Sequence, residues 1–330
     1  MTLNKQYFNR FILTLAINFI IKMIIKKLLR NILNRLFIRK FDDIKIQKGQ
    51  IFEKSLISDI KNIRNLNQTY FKVFSQDTED GIIQYLLKSL NIQSVKFVEV
   101  GTQDYTESNT RYIFETMRCE GLIIDPYPDL KDRVNKILRV WKNRLKIHND
   151  FINPNNINQV LEKNSFSKDL DLFSIDIDGI DYWVLEKISP KISKIFIAEY
   201  NPYFGAELEI SAPNIEKFDR FKYHSSGLCW GASLKAIINL MKKKGYIFLG
   251  TNRLNCNSFF ISNDFVDKIN LDIPNTNDLS HFTDVKFNVL KTKNKKYASF
   301  LDIKNDIQNL EVFDLAKNKM VKFDEIIEKI

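Results

Sequence analysis

The first forty residues of this 330-residue chain contain no aspartate and no glutamate. The whole chain holds only three cysteines, Cys119, Cys229 and Cys256. An odd, sparse set excludes a disulfide framework and fits a reducing compartment. The three histidines, His148, His224 and His281, stand far apart, so no Cys/His group has zinc-site spacing. Ten glycines and seven prolines are too few for long low-complexity stretches. The glycines also never form a G-x-G-x-x-G fingerprint, which weakens any reading as a pyrophosphate-binding dinucleotide enzyme. There is no internal repeat.

Hydrophobic residues make up 44% of the chain and charged ones 27%, which is globular composition. The net charge of +10 is unevenly placed. Residues 1–40 carry nine cations: Lys5, Arg10, Lys22, Lys26, Lys27, Arg30, Arg35, Arg39 and Lys40. The remainder is nearly neutral, with 41 basic residues (50 less nine) against 40 acidic ones. A nucleic-acid enzyme spreads positive charge over its binding face. Here the cation is the N-terminus, which points to an anionic surface such as a membrane instead. Phe11 to Ile21 is apolar apart from Thr14 and Asn18, and Lys22, Lys26 and Arg30 follow at four-residue spacing. Fifteen helical residues rise about 22 Å, short of the roughly 30 Å hydrocarbon core. Such a segment suits a helix lying in the interface. The alternatives are a soluble helix docked on a protein surface and a targeting sequence.

Residues 41–74 read as a polar connector with a short helix near Ile51 to Leu66. From residue 75 apolar strands alternate with amphipathic helices. The predicted strands are Val95–Val100, Gly121–Ile124, Leu145–His148, Asp171–Ile177, Lys194–Glu199, Tyr246–Gly250 and Asn257–Ser262. The predicted helices are Glu79–Leu90, Asn109–Arg118, Leu130–Trp141, Ile157–Lys163, Tyr182–Ile188 and Ser233–Lys244. Short continuous apolar strands belong to sheet buried on both faces. The pattern predicts an α/β fold with a doubly wound, mostly parallel, seven-stranded sheet over residues 75–262. An N-terminal helix (1–40) precedes it and a small C-terminal appendage (263–330) follows. In that appendage Glu311 to Ile326 suggests a hairpin turning at Asn318.

In such a sheet ligands bind beyond the carboxyl ends of the strands. The first strand ends in Glu99-Val100-Gly101, the second in Asp125, and the third runs into Asn149-Asp150. The fourth ends in Asp176, Asp178 and Asp181, and the fifth in Glu199-Tyr200-Asn201. Five successive strand ends carrying acids or amides predict one cleft. Gly101 allows close backbone approach. Asp125 follows it by 24 positions, about the spacing at which an acid meets a ribose diol. A ribose acid without a phosphate cradle favours a nucleoside ligand that carries no phosphate.

The runs FVEVGTQDYTESNT, GLIIDPYP, LFSIDIDGIDYWVLEKI and IFIAEYNPYFG resemble the FkbM-like group of class I S-adenosylmethionine-dependent methyltransferases, with HSSGLCWGASLKAI and NSFFI also included. The similarity covers roughly Phe74 to Ser262 and is nearest to a bacterial branch associated with surface-glycan synthesis. It implies a Rossmann-like fold and S-adenosylmethionine as cofactor. Glu99 to Gly101 would be the first cofactor motif, Asp125 the ribose ligand and Asp150 a neighbour of the adenine. At the first motif Glu99-Val100-Gly101-Thr102-Gln103 stands where the group usually has Asp-x-Gly-Ala-Asn.

Methyl transfer to a hydroxyl needs the acceptor proton removed or its oxygen held by a cation. In one reading Asp176, Glu199 and Asn201 bind Mg²⁺, an all-oxygen set that suits it. In the other, no metal binds and His224 or Asp178 is the base, with Asp176 also in the catalytic group. Asp178 and Asp181 could instead cap the following helix. Tyr200, Tyr203, Phe204 and Trp230 could flank the cleft or simply pack. The resulting expectation is an O-methyltransferase of glycans or lipid-linked sugars, cytoplasmic and peripheral to the inner membrane face, with no nucleic-acid partner. The rivals are a non-catalytic scaffold of the same fold and a nucleic-acid methyltransferase. The second is disfavoured because Asn201-Pro202-Tyr203-Phe204 only echoes an Asn-Pro-Pro-Tyr motif and does so at the wrong strand.

Overall fold

The computed structural model describes Lys26, Phe37, residues 39–138 and 144–283, Ile307 and residues 309–326. The chain divides into two compact units, Met1–Lys48 and Gly49–Ile330. In the first, residues 39–48 are helical. Most of the apolar segment expected over 1–40 lies outside the described residues.

The second unit opens with helix α1 (49–59) and a 3-10 turn, Leu66–Thr69. It continues as α2 (Glu79–Ser89), β1 (Ser94–Val100), α3 (Arg111–Thr116), β2 (Arg118–Ile124), α4 (Leu130–Ile137) and β3 (Arg144–His148). Then come α5 (Ile157–Asn164), β4 (Leu170–Ile175), α6 (Asp181–Lys187) and β5 (Ser193–Glu199). After β6 (Ile210–Ser211) and α7 (Arg220–Tyr223) the chain closes the sheet with α8 (Leu234–Lys243), β7 (Tyr246–Thr251) and β8 (Asn257–Ser262).

The main sheet has seven strands in the order β3-β2-β1-β4-β5-β8-β7. Pairs β3-β2, β2-β1, β1-β4 and β4-β5 are parallel, and β8 runs antiparallel to both β5 and β7. This is the doubly wound, mostly parallel, seven-stranded sheet that the alternating pattern predicts. The chain winds outward from β1 through β2 to β3, then restarts at β4 on the other side. The switch point therefore lies between β1 and β4, where such sheets open a crevice.

Burial explains the strands. Every residue of β4 and of β8 is buried, as central strands covered on both faces require. Edge strand β3 has no fully buried residue. Helix α8 shows the helical counterpart. Ser233 accepts the Ala236 N–H as N-cap, and Gly245 takes φ +85° after the last turn. Its buried residues Leu234, Ile237, Ile238, Leu240 and Met241 recur at three- and four-residue spacing, and each contributes about 1.5–3 kcal/mol.

The C-terminal hairpin forms as the sequence suggests, with β9 (Glu311–Asp314) and β10 (Lys319–Lys322) antiparallel and Asn318 at φ +53° in the turn. Strand β6 pairs with β9, and Phe323 packs edge-on against Phe204. The helix expected over Leu130–Trp141 ends at Ile137, ahead of residues outside the described set.

Candidate active site at the strand tips

A cavity of about 550 Å³ opens at the carboxyl ends of β1, β2, β4 and β5, a size typical of small-molecule sites. Its floor is the β1–β4 switch point. The Gly101 N–H donates to the Ile124 carbonyl at 2.9 Å, and the Asp176 N–H to the Val100 carbonyl at 2.9 Å. Gly101 sits at φ +84°, and a Cβ placed on it would lie 1.4 Å from the Asp176 carbonyl oxygen. Only glycine lets these two strand tips close on each other.

Asp125, at the tip of β2, is 7% exposed and lines the cavity. Its carboxylate accepts the Gln103 N–H at 2.7 Å on one oxygen and the Tyr127 N–H at 2.7 Å on the other. Asn149 locks the same corner by donating to the Asp125 and Tyr127 carbonyls at 2.7 and 2.8 Å. Burial raises the Asp125 pKa, while the hydrogen bonds from Gln103 and Tyr127 oppose the rise. Gly101 and Asp125, both singled out from the sequence, thus face one cleft. So does Asp150, whose side chain is 60% exposed and lies 3.8 Å from the His148 ring.

Glu99 does not belong to the cleft. It is 4% exposed and accepts Ser108 Oγ at 2.6 Å, the Asn109 N–H at 2.8 Å, the Thr110 N–H at 3.1 Å and the Thr110 hydroxyl. Asn109 completes the attachment through Ser174 Oγ at 3.0 Å. Burial raises its pKa against these four donors. Glu99 is absent from the cavity lining, and all its hydrogen bonds go to the Ser108–Thr110 loop. Its work is to pin the Ser108–Thr110 loop to the sheet.

The other half of the cavity is acidic. Ligand-capable oxygens of Asp176, Asp178 and Glu199 all lie within 4.8 Å of one another. Burial raises the Asp176 and Glu199 pKa values well above normal, and repulsion within the acidic group adds to it: Asp178 acts on Asp176, and Asp176 on Glu199. One oxygen of Glu199 is buried without a hydrogen-bond partner. Asp181 supports the cluster from below. Its carboxylate is fully buried and accepts the Ile177 N–H at 2.9 Å and the Gly179 N–H at 3.0 Å. It is the member of the Asp178/Asp181 pair that holds the turn into α6.

Asn201 is not a cluster ligand. It is fully buried, donates to the Leu228 and Trp230 carbonyls at 2.8 and 3.1 Å, and accepts the Tyr203 N–H at 3.0 Å. It ties the end of β5 to the 228–230 segment. Asp178 stands in its place as third oxygen donor. His224 also lies outside the cleft lining, with Nδ1 at 2.8 Å from Ser226 Oγ in the turn after α7. Of the four aromatics near β5, only Trp230 lines the cavity; Tyr200, Tyr203 and Phe204 belong to the core.

Arg220 was not singled out from the sequence. It opens the four-residue helix α7, whose N-cap Asp219 accepts the Phe221 and Lys222 N–H groups. Its guanidinium lies 2.7 Å from Asp178 and 5.1 Å over the Trp230 ring, with the side chain 16% exposed. Nothing in FDRFKYHSSG signals this, because α7 reaches the cleft through the long β5–α8 insertion. Gln76, just before α2, lines the cavity too.

The first turn of α2 carries a pH-sensitive group. One oxygen of Asp80 accepts the Val73, Phe74 and Ser75 N–H groups and the Ser75 hydroxyl at 2.7–2.9 Å. The other is buried without a partner. Burial pushes its pKa from 3.8 up to about 6. The folded protein then binds a proton here that the unfolded chain releases near 3.8, so this site costs stability as pH rises across that window. Comparing wild type with Asp80→Asn by urea unfolding should show the balance move toward the variant between pH 4 and 6. A difference independent of pH would contradict the assignment.

No protein-family model and no curated protein matches this sequence. Among solved structures, the pyocyanin biosynthetic protein PhzM is similar at 10% identity over 54% of this chain and 52% of that one, with a TM-score of 0.31. An O-methyltransferase family protein from Burkholderia thailandensis is similar at 9% identity over 66% and 70%, with a TM-score of 0.32. LepI in complex with SAM is similar at 13% identity over 54% and 46%, with a TM-score of 0.31. The chain thus spans about half the length of PhzM and of LepI. Likenesses this distant carry no weight for chemistry, and the fold rests on the strand order and directions given above.

Proposed function

We propose that the chain is an S-adenosylmethionine-dependent methyltransferase that methylates a hydroxyl of a glycan or lipid-linked sugar at the inner membrane face. The observation that supports it most is Asp125 held at the switch-point cleft beside Gly101. A carboxylate locked by two backbone N–H groups still offers lone pairs to a ribose diol. The turn at Gly101 lets a ligand approach the backbone closely. No phosphate cradle accompanies them, which suits a nucleoside joined to an amino acid. Asp150, with Phe151 and Ile152 on the cavity wall, would border the adenine.

The bound cofactor would supply a methyl carbon on a sulfonium, open to in-line attack. The chain's own residues do the rest. Asp125 orients the ribose. Burial and mutual repulsion raise the pKa of Asp176 and Glu199, which makes their carboxylate form a stronger base for the acceptor hydroxyl proton. Asp178 pairs with Arg220. Trp230 gives the acceptor side an aromatic wall.

The same three carboxylates fit a hard divalent ion, which prefers oxygen donors. Mg²⁺ would be held by Asp176, Asp178 and Glu199, and it would have to take Asp178 from Arg220. Arg220→Gln should therefore tighten Mn²⁺ binding, read by electron paramagnetic resonance, about three- to tenfold, the worth of a partly exposed ion pair. Weaker binding in the variant would show that Arg220 does not compete for the site. For the reaction itself, the test is transfer of labelled methyl from S-adenosylmethionine to membrane glycolipid extracts. Incorporation that requires the intact acidic cluster supports the assignment. Failure to bind S-adenosylhomocysteine would leave a non-catalytic scaffold. No described helix is long and apolar enough to cross a membrane. Residues 1–40, with nine cations and no acid, would hold the enzyme at an anionic surface.

A further inference from the structure

Phe37, Phe41 and Ile44 follow one another at four- and three-residue spacing, so they share one face of a helix. They are 58%, 61% and 59% exposed. Large apolar side chains left so open on one face mark an interaction surface. At 100° per residue, the two acids of this segment, Asp42 and Asp43, fall more than about 100° from the centre of the face. Lys40 and Lys45 flank it, and Lys48 falls within it. An apolar face rimmed by lysines, with its acids turned away, is the arrangement of a helix seated at headgroup level.

We infer that this face is a lipid-contacting surface: Phe37, Phe41 and Ile44 insert at the boundary of an anionic bilayer, and the anchoring segment extends past residue 40 to Ile44. The inference rests on the membrane reading above and adds to it the residues that touch lipid and the in-plane orientation they require. Charge decides between occupants. A second copy would bring another nine cations, unrelieved by any acid in residues 1–40, against the first nine. An anionic surface neutralises them.

The test is co-sedimentation of the full-length protein with vesicles of phosphatidylcholine alone and with added phosphatidylglycerol. Wild type should bind only the anionic vesicles, and the double substitution Phe41→Glu with Ile44→Glu should weaken binding at least about tenfold. Both positions are exposed, so the fold should survive, and circular dichroism would check it. Independently, Phe41→Trp should show added fluorescence that brominated lipids quench on anionic vesicles. Wild-type binding left unchanged by the double substitution would overturn the lipid-contacting face while leaving a membrane role to residues upstream. Absence of wild-type binding would remove the membrane reading and this face with it. A dimer in sedimentation velocity that the double substitution dissociates would assign the face to a second copy and overturn the inference.

Discussion

Gly101→Ala should destabilise the protein by about 2–5 kcal/mol and abolish cofactor binding. Two costs combine. A side chain at φ +84° pays about 1–2 kcal/mol for left-handed backbone. The new methyl would sit 1.4 Å from the Asp176 carbonyl oxygen, so the tips of β1 and β4 would have to part. Overpacking against backbone, which cannot rotate away as a side chain would, costs typically 1–3 kcal/mol. The displacement falls on the chain that bears Asp176, so the site should suffer beyond the stability loss. Urea unfolding followed by circular dichroism would measure the first effect. A loss under about 1 kcal/mol would mean that the β1–β4 contact is looser than described.

Asp125→Ala should weaken S-adenosylhomocysteine binding by about 1.5–3 kcal/mol, the usual size for a charged hydrogen bond. That corresponds to roughly ten- to a hundredfold in affinity. Asp125 also organises the corner, because its oxygens hold the Gln103 and Tyr127 N–H groups. Asp125→Asn is the informative companion. It keeps one acceptor oxygen but must present an amide donor to one of those N–H groups, so it should recover little. Titration calorimetry reads both variants. Unchanged affinity in either would remove Asp125 from the cofactor site.

Much of the fold was legible because it follows from periodicity. Runs such as Ile195–Ala198 are apolar at every position, which suits a strand covered on both faces, and α8 repeats its apolar residues at helical spacing. The cleft was legible for a related reason. Strand ends are where a parallel sheet exposes backbone, so Gly101, Asp125, Asp150, Asp176, Asp178 and Glu199 could be placed by counting from the apolar runs. Errors arose where a polar residue at a strand end is used up by bonds within the fold, which its position alone does not reveal. Glu99 is two residues from Gly101 yet is buried against the donors Ser108, Asn109 and Thr110 and does not line the cavity. Asn201 lies two residues past Glu199 but turns inward to three backbone partners. Arg220 was illegible because its place depends on how the β5–α8 insertion folds back, a long-range contact that no local pattern encodes. His224 looked suitable by residue type alone, but it lies outside the cleft lining, bonded to Ser226 in the turn after α7.

The most direct test is a crystal structure of the full-length protein grown with S-adenosylhomocysteine. Density should run along the switch point, with the ribose hydroxyls at Asp125 and the amino-acid end beside Gly101. Ligand bound elsewhere, or a cleft that stays empty at saturating concentration, would contradict the assignment of this site to a sulfonium nucleoside.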